Sequence, residues 1–346
     1  MTLTLNSDDV ATYVEFVVEI LRTGPERRLV TTLGDHREGV RFESPVDTDL
    51  LHSGRTWAQR STRLDSAGYA RSLGRQLFGS LVSERGTRLV YERAVEQGMR
   101  PGTGVRVRLD IADPDIDALP WELLYDDKVL KDFIALSTGW SVVRGPVSSE
   151  AGEPLQAAPP PLRVLAMVTP PGRGLDEDRI ITRAVSEAPG VEFDVLDRPS
   201  EVLDRLTDVH PHVLHCQGQV VNSDTLREAL SQYGDVRLVV VGVEDSLRLA
   251  EYLSRAVPAV VGWAGPIDPS AYQSFMRAFY QSLSQGNTVE GALRNGRRQI
   301  DSDQPGGREW ATPVCYLRTG GALLGPPAPL GKSVELPGVA AGPDSD

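Results

Sequence analysis

Leu162-Arg163-Val164-Leu165-Ala166-Met167-Val168 is an apolar run of strand length that halts at Pro170-Pro171. Such a run, bounded by prolines, reads as a strand buried on both faces. Downstream the same kind of segment returns at Val191 to Leu196, His212 to Cys216, Arg237 to Val241, Pro258 to Trp263 and Pro313 to Leu317. Helical stretches separate them: Asp176 to Ala188, Pro199 to Leu206, Ser223 to Ser231, Ser246 to Arg255, Ser270 to Ser284 and Thr288 to Ile300. Phe275, Phe279 and Leu283 recur every four residues on one face, and Thr288 with Glu290 fits a capped helix start. Parallel neighbours need crossover helices, so alternation of this kind predicts an α/β fold with a mainly parallel sheet covered on both faces.

Upstream the pattern loosens. Tyr69 to Ser83 carries a helical stripe through Tyr69, Leu73, Leu77, Phe78 and Leu81, and Leu89 to Gln97 is a second, shorter helix. Val105 to Ile111 alternates apolar and polar residues, as a half-exposed strand does. Val10 to Leu21 reads as a helix, and the strand-like residues after it have no clear place. Residues 146–161, rich in Pro, Gly and Ser, read as a linker or long loop. Residues 320–346 are expected to be a disordered tail. The resulting division is 1–68 unassigned, 69–145 and 162–319 forming the globular unit, with a smaller α+β part preceding the main sheet. No internal repeat is found.

The length of 346 residues is about twice the ~150 of one domain. A hydrophobic content of 40% supports a core and excludes a wholly disordered chain. No run of ~18 apolar residues suggests a membrane span. Met1 to Asp9 have neither a basic stretch nor an apolar core, so a cytoplasmic protein is expected. Acidic residues outnumber basic ones 48 to 36, for a formal charge of −12. Nucleic-acid binding needs a basic field for phosphate contacts, so that class is disfavoured. Cys216 and Cys315 are too few for a disulfide framework or a four-cysteine zinc site.

Leu119-Pro120-Trp121-Glu122-Leu123-Leu124-Tyr125 is followed by Phe133 to Leu136 and Val142-Val143-Arg144. Later come His212 to His215 with Gly218, Val239 to Val241 with Ser246, Phe275 to Tyr280, Val289 to Leu293 with Arg297, and Trp310 with Pro313-Val314. In this order the segments resemble the CHAT domain family, a bacterial branch of the caspase-like cysteine peptidases of clan CD, over roughly residues 70 to 320. The resemblance implies a caspase-like three-layer sandwich. It also implies a catalytic histidine in a Gly-His-Gly turn, matched here by Gly218-Gln219-Val220. The cysteine nucleophile would stand in an Ala-Cys-Glu-Ser type of sequence, matched by Val243-Glu244-Asp245-Ser246.

Both members of that dyad are replaced. An amide such as Gln219 cannot act as acid or base near neutral pH. Glu244 has no sulfur, and its charge opposes an oxyanion. Val220 replaces a glycine in the turn. No catalytic residue is therefore assigned; His215, Gly218, Gln219, Val220, Glu244, Asp245 and Ser246 are the candidate groove residues. Pro120, Trp121 and Glu122 are read as structural, with Trp121 packed and Glu122 hydrogen-bonded.

Other chemistry has weaker support at each position. Cys216 beside His215 suggests a displaced dyad, but neighbours on a strand point to opposite faces. His210, His212, His215 and Cys216 suggest a metal, yet their parity is wrong and Pro211 interrupts. Glu244 with Asp245 is more simply a solvated pair than a cation site. Pro170 to Gly174 lacks a dinucleotide fingerprint. Gly325 with Gly331-Lys332-Ser333 has the wrong spacing for a phosphate loop. No cofactor and no metal is expected. The expected function is that of an inactive pseudo-peptidase, an adaptor or regulatory subunit in a bacterial defence or cell-death system. Its partner would be a protein, either an active peptidase or a sensor or scaffold, with no nucleic acid and no membrane. The alternative is an active cysteine or serine peptidase with a displaced nucleophile, Cys216 or Ser246.

Overall fold

The computed structural model describes residues 12–24, 26–43, 66–145, 157–168, 183–185, 188–196, 198–218, 222–266, 268–318 and 320–324. Its strands are β1 (Thr12–Thr23), β2 (Glu26–Leu33), β3 (His36–Arg41), β4 (Thr103–Ile111), β5 (Tyr125–Asp126), β6 (Asp132–Phe133) and β7 (Trp140–Arg144). They continue as β8 (Leu162–Val168), β9 (Val191–Leu196), β10 (Val213–Gln217), β11 (Leu238–Gly242), β12 (Ala259–Trp263) and β13 (Pro313–Leu317). The helices are α1 (Ser66–Leu81), α2 (Arg85–Gly98), α3 (Pro114–Asp117), α4 (Val202–Val209), α5 (Ser223–Gln232), α6 (Leu247–Leu253), α7 (Pro269–Ser284) and α8 (Val289–Asp303).

Eleven strands join in one sheet, ordered β3-β2-β1-β4-β7-β13-β12-β11-β10-β8-β9, while β5 and β6 pair separately. Neighbours are antiparallel at β3/β2, β2/β1 and β13/β12 and parallel elsewhere. Two parallel halves thus run in opposite directions and meet where β13 lies against β12. Registers assign the faces. Leu165, Leu214, Val239, Val260 and Tyr316 stand opposite one another along one face. That face packs against Val202 and Leu206 of α4, Leu226 and Leu230 of α5, and Ala250 and Leu253 of α6. Ala166, His215, Val240, Val261 and Cys315 line the other face, beside Phe275, Phe279 and Tyr280 of α7 and Leu293 of α8. The result is a three-layer α/β sandwich with a mainly parallel sheet, consistent with a caspase-like architecture.

Caps and close packing explain the last two helices. Pro269 occupies the first turn of α7, and the Asp268 carboxylate accepts from the Ala271 N–H at 2.9 Å. Thr288 accepts from the Gly291 N–H at 3.1 Å, starting α8. Gly296 lets the two helices close, since a Cβ there would lie 2.6 Å from the Phe275 ring. The smaller N-terminal α+β part shares the main sheet: α2 lies over β1–β4, and Tyr91 meets Phe16 edge-on at 5.5 Å.

Two expectations are corrected. Val10 to Leu21 is not a helix, because Thr12–Thr23 is a strand paired in parallel with β4. Its Phe16, Val18 and Ile20 are buried at every second residue while Glu15 and Glu19 face the other way. That period of two, in a β-branched run, outweighs its helical spacing. The tail expected over 320–346 is ordered at its start. Leu323 and Leu324 are buried, and Ala158 pairs with Leu324 and donates its N–H to the Leu323 carbonyl at 2.9 Å. Residues 325–346, 146–156 and most of the helix expected at Asp176 to Ala188 lie outside the described residues. Among the described residues, no helix is long and apolar enough to cross a membrane.

Candidate functional site

The parallel strands β10 and β11 end side by side, with Gln217 opposite Gly242. Gly218 follows with φ +78°, a left-handed turn that suits glycine. Of the candidate groove residues, His215 lies within β10, and Gly218, Glu244, Asp245 and Ser246 follow the two strand ends. Gln219 and Val220 are outside the described residues, so the geometry rests on His215, Gly218 and the turn at Glu244.

His215 is fully buried against α7. Its Nδ1 lies 2.7 Å from the Tyr280 hydroxyl. Its Nε2 lies 3.0 Å from the Tyr272 hydroxyl and 3.2 Å from Gln217 Oε1. Tyr272 donates to that same Gln217 oxygen. A carbonyl oxygen only accepts, so this network assigns the proton to Nε2 and makes Nδ1 the acceptor of the Tyr280 O–H. Burial, partly offset by the Gln217 oxygen, lowers the imidazole pKa to about 4. The ring is neutral near pH 7, and its one lone pair is already engaged. The Tyr272 hydroxyl and Gln217 carboxamide also fill the space that a side chain on Gly242 would occupy.

Cys216 points away from His215 into the opposite core, as strand alternation requires. Burial pushes its thiol up to about 12. Cys315, packed under α8, is likewise pushed up to about 12 by burial and then by Glu290. Neither thiol is exposed, and the arginines near Cys315 do not offset its burial, so neither sits in the environment that makes a thiolate reactive.

Glu244 and Asp245 form an exposed turn after β11, where Asp245 adopts φ +52°. Ser246 behaves differently. Its buried hydroxyl accepts the Trp263 N–H at 2.9 Å and donates to the Val241 carbonyl at 3.3 Å. Its own N–H reaches the Trp263 carbonyl at 2.9 Å. It ties β11 to β12 just ahead of α6.

Pro120 caps a short 3-10 helix, Trp121–Leu123, that carries Trp121 and Glu122. The buried Trp121 indole donates to the Ile116 carbonyl at 2.9 Å. Glu122 receives Arg144 through both carboxylate oxygens, at 3.1 and 2.7 Å, and Arg144 also donates to the Leu119 carbonyl at 3.1 Å. Burial opposes the Arg144 charge, but Glu122 and then Asp117 outweigh it and hold the guanidinium pKa above its usual value. Arg297 lies near this pair, donating to the Pro313 carbonyl at 2.6 Å, and burial brings it down to about 10.

The histidines suggested as a metal set with Cys216 are not brought together. His210 pairs with Asp235 at 2.8 Å, and His212 Nδ1 accepts the Arg163 N–H at 3.2 Å. Among the described residues, no group of three or more His, Cys, Asp or Glu is placed to hold a metal. Pro170 to Gly174 and Gly325 to Ser333 lie outside the described residues. Sequence reasoning missed Gln217, Tyr272 and Tyr280. Tyrosines within an apolar helical stripe were the available signal, because a buried phenol needs a polar partner.

No protein-family model matches this chain, and no curated protein matches it.

Proposed function

We propose that the chain is a degenerate member of the CHAT family, an inactive pseudo-peptidase that works by binding other proteins. In this reading it is a cytoplasmic adaptor or regulatory subunit of a bacterial defence or cell-death system, partnered by an active peptidase or a sensor or scaffold protein. The observation that carries the reading is the sealed state of His215. Both of its nitrogens are occupied by Tyr280, Tyr272 and Gln217 in a fully buried position. General base catalysis needs a lone pair within reach of the nucleophile, at a pKa near the working pH. The replacement of the family cysteine by Glu244 and the two deeply buried thiols support the same conclusion. The residues that a displaced nucleophile would use are committed elsewhere, Cys216 to the opposite core and Ser246 to the β11/β12 junction.

The test is incubation with thiol-directed peptide electrophiles and with a degenerate fluorogenic peptide library. Neither covalent labelling nor turnover is expected. Stoichiometric labelling or site-specific cleavage would overturn the reading. The double variant Gln219→His with Glu244→Cys is expected to fold and still turn over poorly. A dyad needs alignment to within ~1 Å, and Asp245 next to the new thiol would raise its pKa. Robust turnover by that variant would mean that the groove is intact.

A further inference from the structure

β1 and β4 turn one face towards the first turns of α8. Their parallel register sets Tyr13, Glu15 and Val17 beside Gly104, Arg106 and Arg108 on that face. Arg106 lies over the Tyr13 ring, its guanidinium carbon 4.7 Å from the ring centre, and donates to Glu15 and to Glu290 Oε1. Arg108 donates to Glu15 Oε2 at 2.9 Å and to the Leu317 carbonyl. Arg294 completes the set, one helical turn after Glu290 on the same side of α8. It is only 4% exposed, and Glu290 1%. Glu19 and Asp110 stand further along the same face, where Glu19 pairs with Arg37 at 3.0 Å.

The cluster is unbalanced in two ways. The guanidinium groups of Arg106, Arg108 and Arg294 face the carboxylates of Glu15 and Glu290, so one positive charge has no counterpart among them. Among the described residues, Arg294 Nε, Arg294 Nη1 and Arg106 Nε are buried donors without a hydrogen-bond partner, and Glu290 Oε2 is a buried acceptor without one. Burial raises the Tyr13 pKa; Glu290 adds to that and Arg294 opposes it, which places both charges beside the phenol. A charge held out of water is costly unless a counter-ion joins it, and orphaned buried polar atoms call for a bound water or ion. A water molecule would meet the hydrogen bonds and leave the charge unbalanced. Chloride or nitrate would balance the charge and bring no proton for Glu290 Oε2. An anion with one negative charge and one O–H does both. The Gly320 backbone restricts its size, since a Cβ there would lie 2.5 Å from Arg106 Nη2 and 2.9 Å from Glu290 Oε1. Hydrogencarbonate is the smallest common oxyanion of this kind. We propose that Arg294, Glu290 and Tyr13 hold a hydrogencarbonate ion, with its charged oxygens on Arg294 and its hydroxyl donating to Glu290 Oε2. Neither β1, β4 nor α8 carries a candidate groove residue, so this site is independent of the pseudo-peptidase reading.

The experiment follows thermal unfolding and titration calorimetry of the full chain at pH 8 with sodium hydrogencarbonate, chloride, nitrate or phosphate at equal ionic strength. Hydrogencarbonate is expected to raise Tm in a saturable way, as a ligand of the folded state does, and to bind in the calorimeter where chloride and nitrate do not. Arg294→Met, which removes the charge and keeps an unbranched side chain, should weaken that binding about tenfold or more. Arg248→Gln, a surface change on α6, should leave it unchanged. An equal response to all four anions, no response to hydrogencarbonate, or tighter binding of phosphate would overturn the proposal. Unchanged hydrogencarbonate affinity in Arg294→Met would do the same. Should that variant fail to fold, the anion series on the wild-type chain decides by itself.

Discussion

Replacing His215 by glutamine should flatten the acid dependence of stability. In the folded chain the imidazole titrates near 4, against an ordinary value of 6.5. The unfolded chain therefore binds a proton in this window that the native chain does not, and stability rises with pH across it. The contribution is fully present above pH 6.5 and is lost as pH falls towards 4. At roughly 1.4 kcal/mol for each tenfold step in proton affinity, the full gap is worth ~3 kcal/mol, of which about 2 kcal/mol is lost by pH 5. Other groups titrate here too, His212 among them, with a pKa also lowered to about 4. The informative quantity is therefore the difference between wild type and variant, which removes what they share. Urea unfolding at pH 7.5, 6.5, 5.5 and 5.0 supplies it. Whatever His215→Gln costs at neutral pH, the stability gap between the two proteins should narrow by about 2 kcal/mol on going to pH 5. Parallel curves would refute a sealed, neutral imidazole and reopen the case for a working base.

Other perturbations probe the rest of the site and its supports. Native protein should resist iodoacetamide at pH 8 at both Cys216 and Cys315, and denatured protein should react at both; fast stoichiometric modification of the native chain would contradict their burial. Glu122→Ala should cost about 3–5 kcal/mol in chemical unfolding because it strands the buried Arg144 charge, and a loss within experimental error would show the pair to be dispensable. Ser246→Ala should cost about 1–3 kcal/mol by leaving the buried Trp263 N–H without its acceptor. If stability is unchanged in that variant, the hydroxyl is not the tie between β11 and β12.

The strands from Leu162 onwards are legible in the sequence because they are short, mostly apolar runs between prolines and glycines. β1 is not, because Tyr13, Val14, Val17, Val18 and Leu21 also satisfy a helical spacing. Only pairing with β4 decides between the two periods. Strand parity alone separates the side chains of His215 and Cys216. What surrounds His215 is tertiary. Tyr272 and Tyr280 are placed by the packing of α7 on the sheet, more than fifty residues away in sequence. Ser246 illustrates the same limit: its position suggests a nucleophile, while its partners on β11 and β12 give it a structural task. Leu323 and Leu324 are hidden by the Gly-Pro-Ala composition around them, although they are buried in the core.

The meeting of β13 with β12 has a consequence for synthesis. The last described strand in the chain is the one required in the middle of the sheet, between β7 and β12. Until residues 313–317 leave the ribosome, the growing polypeptide holds two half-sheets, each with an unpaired edge, one at β7 and one at β12. Open edges invite pairing with other chains, and contacts between segments distant in sequence form slowly. The nascent chain thus keeps both edges open until the other described strands have already been made. A short segment, Pro313-Val314-Cys315-Tyr316-Leu317, ends that exposure by closing both edges at once.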